Sequence, residues 1–153
     1  MRAFRYTEHI ERPREEVFAY MMSFATASRW RNLVRKMEIT DGGPPRAGAP
    51  LLITMDLMGK TAQIESELWC YEPPVRFGQR NTRGGVTGVF EYVLEPVGAG
   101  TRVSFTCDLR PHGLMWLALP WLLRSSRRYR NQLATLKKAI EGESERPSKE
   151  LSS

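Results

Sequence analysis

From Thr101 to Arg110 the side chains alternate without a break: Val103, Phe105, Cys107 and Leu109 share one parity, and Arg102, Ser104, Thr106, Asp108 and Arg110 share the other. Successive side chains on a strand point to opposite faces, so this segment predicts a strand with one buried and one wet face. Beyond Pro111-His112-Gly113 the period changes. Leu119, Leu122, Ser126, Tyr129, Leu133, Leu136 and Ile140 recur at alternating spacings of three and four, which is one face of a long helix. Pro120 lies in the first part of that pattern, so the helix kinks there or starts there. A one-faced strand and a one-faced helix each need something to bury against, and each supplies it to the other.

The rest of the chain fills in the sheet. Phe4, Tyr6, Glu8 and Ile10 alternate with Arg5, Thr7 and His9, a strand that ends before Pro13. Pro13 suits a first helical turn, Glu15 and Glu16 suit the positive end of a helix dipole, and Val17, Phe18, Tyr20 and Met21 give an apolar face. A second short helix is expected from about Thr26 to Leu33, with Trp30 turned inward. After Met37 and Ile39, the run Asp41-Gly42-Gly43-Pro44-Pro45 marks a turn, and Leu51, Ile53, Met55 and Leu57 then alternate up to a hairpin turn near Gly59-Lys60. Thr61–Tyr71, Val75–Thr82 and Val86–Glu95 follow as strands, separated by Glu72-Pro73-Pro74 and by Gly84-Gly85. The predicted fold is α+β: a curved seven-stranded antiparallel sheet wrapped around a long C-terminal helix, with two short helices after the first strand. One domain is expected over residues 1–142, with a polar, frayed tail over 143–153.

Composition narrows the class. With 153 residues, 41% hydrophobic and 26% charged, the chain suits one globular domain and excludes collagen-like, coiled-coil and disordered classes. The formal charge is +6. Six basic residues, Arg124, Arg127, Arg128, Arg130, Lys137 and Lys138, fall between 124 and 138 with no acidic one among them, so the excess is concentrated on the helix. The longest nearly uncharged apolar run, Leu114–Leu123, is ten residues and contains Pro120, short of the roughly 20 a bilayer requires. The segment Met1–Ile10 lacks the layout of a secretory signal, and a cytoplasmic location is expected. Two cysteines, Cys70 and Cys107, fall on strands separated by two others, beyond the roughly 7 Å that a disulfide spans; they are expected to be reduced core residues.

Several local anchors together resemble the START-like or Bet v 1-like superfamily with its helix-grip fold, in particular its polyketide cyclase/dehydrase and lipid-transport branch. They are Ile10-Glu11-Arg12-Pro13 with Glu16-Val17-Phe18, Trp30, Tyr71-Glu72-Pro73-Pro74-Val75-Arg76, and Leu94-Glu95-Pro96 with Gly100-Thr101-Arg102-Val103. The resemblance spans about Phe4 to Ile140. It implies a cavity between sheet and helix for an apolar or amphipathic small molecule, and in some members an aromatase/cyclase activity. Relatives often carry an acidic residue soon after the first helix, where this chain reads Met21-Met22-Ser23-Phe24.

The residues expected to line the cavity are Trp30, Met55, Ile64, Leu68, Phe77, Phe90, Tyr92, Phe105, Leu119, Leu122 and Tyr129, with the hydroxyls of Tyr92 and Tyr129 setting ligand orientation. The acid/base candidates are His112, at the strand-to-helix junction, and Glu8, on the apolar parity of the first strand; each has a plain alternative as a surface-loop histidine and a strand-end carboxylate. Glu65 and Glu67 share a strand face with Gln63 and Trp69 and should face solvent, against a paired-carboxylate glycosidase site. His9 and His112 stand at opposite ends and the cysteines lack metal spacing, so neither a metal nor a cofactor is expected. The glycines lack the strand-to-helix setting of a phosphate loop. Nucleic acid is not an expected partner, because the basic residues are not interleaved with exposed aromatics.

Three functions stay open at this level. The first is a carrier or binding module for a lipid or polyketide-like molecule. The second is a cyclase/dehydrase-type enzyme working in the same cavity. The third is docking through the Trp116–Arg130 region onto an anionic membrane surface or a partner, and a homodimer is compatible with any of them.

Overall fold

The computed structural model describes residues 2–31, 34–57, 59–81, 86–118, 120 and 131–142. The elements run β1 (Arg2–Ile10), α1 (Arg14–Met22), a single 3-10 turn (Phe24–Thr26), α2 (Ala27–Trp30), β2 (Val34–Ile39), β3 (Pro50–Leu57), β4 (Lys60–Glu72), β5 (Arg76–Asn81), β6 (Val86–Val97) and β7 (Gly100–Pro111). A second 3-10 segment, Gly113–Ala118, precedes the C-terminal helix α3, described over residues 131–142. All seven strands form one curved antiparallel sheet in the order β1-β7-β6-β5-β4-β3-β2. The first strand therefore closes onto the last, and consecutive strands are otherwise neighbours. This is the helix-grip arrangement expected from the strand and helix periods.

Two apolar clusters hold it together. The larger joins Ile10, Val17, Phe18, Met21, Trp30, Phe77, Tyr92, Leu94, Val103, Phe105 and Cys107 to Leu133, Leu136 and Ile140 of α3. The three-and-four spacing of those last three puts them on one helix face, which is why all three are buried to 2% exposure or less. The second cluster, Ala27, Met37, Ala49, Leu51, Ile53 and Leu68, lies under the β2–β3–β4 side, with Met55 and Ile64 half-buried against it.

Register lines up the inner side chains in rungs. Tyr6 of β1 pairs with Phe105 of β7, Phe105 with Tyr92 of β6, Tyr92 with Phe77 of β5, and Phe77 with Tyr71 of β4. Five aromatics thus stand side by side across five strands. Tyr71 reaches the rung because the β4–β5 register shifts between Leu68 and Cys70; a bulge adds one residue and reverses the parity that follows. The next rung is Phe4, Cys107, Phe90, Gln79 and Leu68, apolar except for Gln79.

The structure corrects four local expectations. Pro13 does not enter the first turn of α1; it is the cap, with φ −60° and ψ 149°, and its carbonyl accepts from the Val17 amide at 3.1 Å. The second short helix stops at Trp30 rather than Leu33, since Arg31 is extended with ψ 118°. The outer face of β7 is not uniformly wet: Ser104 is 4% exposed, because it sits in register between the larger Thr7 and Val93. Glu65 is exposed, but Glu67 is only partly so and pairs with Arg80 across the β4–β5 ladder. Cys70 and Cys107 are free and buried, on strands with β5 and β6 between them, as expected. The turn at Gly84-Gly85 and the tail over 143–153 lie outside the described residues.

Candidate functional site

The inner face of the sheet beneath α3 is built around Tyr92. Its ring lies 4.9 Å from that of Phe77, nearly parallel, and 4.7 Å from that of Phe105. Trp30 meets it edge-on at 5.8 Å. Such offset and edge contacts suit the ring quadrupoles and make a rigid wall. The hydroxyl end meets α3, where Gln132 Nε2 donates to Tyr92 Oη at 2.6 Å. Both residues are buried, at 6% and 2% exposure, so this bond ties helix to sheet in a setting that excludes water. Burial pushes the Tyr92 phenol above its ordinary pKa, with the neighbouring Arg31 charge pulling the other way.

Arg31 supplies the charge. It follows Trp30 at the end of α2 and is 6% exposed. Its guanidinium carbon lies 4.6 Å from the Trp30 ring centre and 5.6 Å from that of Tyr92, close enough for both π faces to stabilise the cation. Arg31 Nη1 donates to Gln79 Oε1 at 2.6 Å. Gln79 faces inward because it shares the parity of Phe77 on β5. Arg31 Nε and Trp30 Nε1 are buried without a partner, and among the described residues no carboxylate pairs with the guanidinium. Burial lowers the Arg31 pKa, and guanidinium is the side-chain cation that gives up its proton least readily.

The two acid/base candidates stand apart from each other. Glu8 is half-buried on β1, level with Val103, and its Oε1 accepts from the His9 amide at 3.2 Å. His112 is exposed just past β7, with Nε2 2.5 Å from Thr87 Oγ1. Val103 and Pro111 are eight residues apart on one strand, about 26 Å at the usual rise, so Glu8 and His112 lie at opposite ends of the sheet.

A family model described as polyketide cyclase/dehydrase and lipid transport matches residues 1–141. The chain belongs to that family. No curated protein matches it. Among solved structures it is similar to TTHA0849 from Thermus thermophilus, with a TM-score of 0.76 at 18% identity over 94% of this chain and 99% of that one. It is also similar to the Zhui aromatase/cyclase from Streptomyces sp. R1128, with a TM-score of 0.75 at 17% identity over 95% of this chain and 94% of that one. A START superfamily protein from Mycobacterium smegmatis gives 0.71 at 14% identity, covering 92% of this chain and 97% of that one. At these identities the likeness is one of fold.

Within this polyketide cyclase/dehydrase fold, the expected lining residues divide by place. Trp30, Phe77, Tyr92 and Phe105 come together in the main cluster, and Phe90 packs half-buried against it with its ring 6.1 Å from that of Phe105. Met55, Ile64 and Leu68 belong to the other cluster, under β2–β3–β4. Leu119, Leu122 and Tyr129 lie outside the described residues. The polar members Arg31, Gln79 and Gln132 escape a reading based on apolar periodicity. Gln79 was within reach, since parity with Phe77 places it inside. Gln132 beside Leu133 sits at the edge of the helix stripe, while Arg31 has no periodic signal at all.

Proposed function

We propose that the protein binds an apolar or aromatic small molecule, lipid or polyketide-like, between the sheet and the C-terminal helix, as a carrier or binding module. Leu119, Leu122 and Tyr129, on the apolar stripe of the helix sequence, would complete the lining that Trp30, Phe77, Phe90, Tyr92 and Phe105 begin, with Met55, Ile64 and Leu68 extending it. The observation that carries this reading is the pair of buried, unpartnered donors, Arg31 Nε and Trp30 Nε1, set among stacked aromatic rings. Buried polar groups are nearly always satisfied; donors left open in an aromatic enclosure suit a ligand that is mostly apolar and carries a few acceptors. Apolar burial then supplies affinity, at about 25 cal/mol per Å². Carriage is favoured over a cyclase/dehydrase reaction because Glu8 and His112 do not converge on one place. Native mass spectrometry of freshly purified protein, followed by organic extraction, tests this. A near-stoichiometric apolar compound is expected. A ligand-free mass that persists after incubation with fatty acids and aromatic polyketides would overturn the reading.

A second, compatible reading is docking on an anionic membrane surface. Leu114, Trp116 and Leu117 are 85%, 51% and 81% exposed, an apolar tip that precedes the basic residues Arg124, Arg127, Arg128 and Arg130 in sequence. Among the described residues no helix is long and apolar enough to cross a bilayer, so contact would be at the surface. Cosedimentation with phosphatidylserine vesicles should fall on adding salt and with Trp116→Ala plus Trp121→Ala. No binding at low salt would end this reading.

A further inference from the structure

We propose that the bound molecule carries an oxyanion, a carboxylate or a similarly planar acidic oxygen pair, seated against Arg31. The inference rests on the ligand-binding reading above and names the chemistry of its polar end. A guanidinium held at 6% exposure with no carboxylate partner among the described residues is an uncompensated buried charge, a costly arrangement that two aromatic faces and one amide oxygen only partly offset. Outside the described residues the sequence places acidic side chains only at Glu143, Glu145 and Glu150.

The open positions around the charge are donors. Arg31 Nε–H and Trp30 Nε1–H lack acceptors, and the Tyr92 oxygen accepts from Gln132, which leaves the phenol proton to be given elsewhere. One cation and three donors on neighbouring side chains fit an acceptor with negative charge and several lone pairs, not a neutral hydrocarbon. Gln79, by holding Nη1, fixes the plane of the guanidinium, so its remaining edge is preorganised for an acid. The aromatic rung beside it, Phe105, Tyr92 and Phe77, would take the apolar body.

The test compares acids with their own methyl esters, using cis-parinaric acid as the aliphatic probe and 9-anthracenecarboxylic acid as the aromatic one, titrated by fluorescence into the full chain. The wild type should bind at least one acid more tightly than its ester, by about ten- to a hundredfold. Arg31→Met should remove that preference by weakening the acid alone, while the ligand-free variant unfolds at a temperature no lower than the wild type. Arg31→Lys keeps the charge without the planar fork and should restore part of the preference. Equal binding of acid and ester by the wild type, or an undiminished preference in Arg31→Met, would overturn the oxyanion site and leave the cavity reading standing. Binding of neither acid nor ester would overturn both. The acid-to-ester ratio of the wild type decides the matter even if Arg31→Met folds poorly.

Discussion

Replacing Tyr92 by Phe tests the buried polar tie between sheet and C-terminal helix. The ring contacts survive, with Phe77 at 4.9 Å, Phe105 at 4.7 Å and Trp30 at 5.8 Å, so the change isolates the hydroxyl. What is lost is the 2.6 Å bond from Gln132 Nε2, and Gln132, 6% exposed, keeps a buried donor with nothing to receive it. Leaving such a group unsatisfied costs about 1–3 kcal/mol. In a domain near 150 residues that lowers Tm by about 2–12 °C. Urea unfolding followed by circular dichroism measures it. The double variant Tyr92→Phe with Gln132→Leu removes both partners and should recover most of the loss, giving a coupling of about 0.5–3 kcal/mol in the double-mutant cycle. A single variant within about 0.5 kcal/mol of wild type, or strictly additive effects, would falsify the claim that this bond fastens α3 to the sheet.

Two further outcomes follow from the geometry. A Cβ at Gly78 would overlap Trp69 Nε1 and lie 2.7 Å from the Phe90 carbonyl oxygen, so Gly78→Ala must displace the indole and break its 3.0 Å bond to that same oxygen; a loss of about 2–4 kcal/mol is expected in chemical unfolding, and a neutral variant would show that Trp69 yields freely. Burial, with a smaller contribution from the Asp108 carboxylate, pushes the Cys107 thiol up to about 12, whereas an unfolded cysteine titrates near about 8.5. Between those values the unfolded chain gives up a proton that the native chain keeps, so stability should fall as pH rises from about 9 to 12, by up to about 1.4 kcal/mol per unit. Cys70 is shifted upward as well and adds to the slope. Cys107→Ala should make the fall measured by urea midpoints shallower, and an unchanged slope would count against this origin.

Much of the fold was written in local periods. The strict alternation through Val103, Phe105 and Cys107, and the three-and-four spacing of Leu133, Leu136 and Ile140, each need only near neighbours to be read, and all six of these side chains are buried in one cluster. Prolines and glycines marked the strand ends for the same reason, since their backbone limits act within one or two residues. Phe77, Tyr92 and Phe105 were legible as inward because bulk and parity agree, and Trp30 by its bulk alone.

The rest waited on the register. That Tyr6, Phe105, Tyr92, Phe77 and Tyr71 stand in one row depends on five strands pairing in a particular alignment and on a bulge that turns Tyr71 inward. No local pattern encodes an alignment between segments tens of residues apart. Ser104 reads as a wet-face residue until its neighbours Thr7 and Val93 are placed beside it. Arg31 is the sharpest case: a charged residue at a helix end belongs in water by every local rule, and only the convergence of Trp30, Tyr92 and Gln79 around it gives the guanidinium two aromatic faces and an acceptor. Local pattern established which faces are apolar and where strands and helices begin. Which polar groups those faces enclose was left to the assembled fold, because burial of a charge is settled by partners contributed from distant parts of the chain.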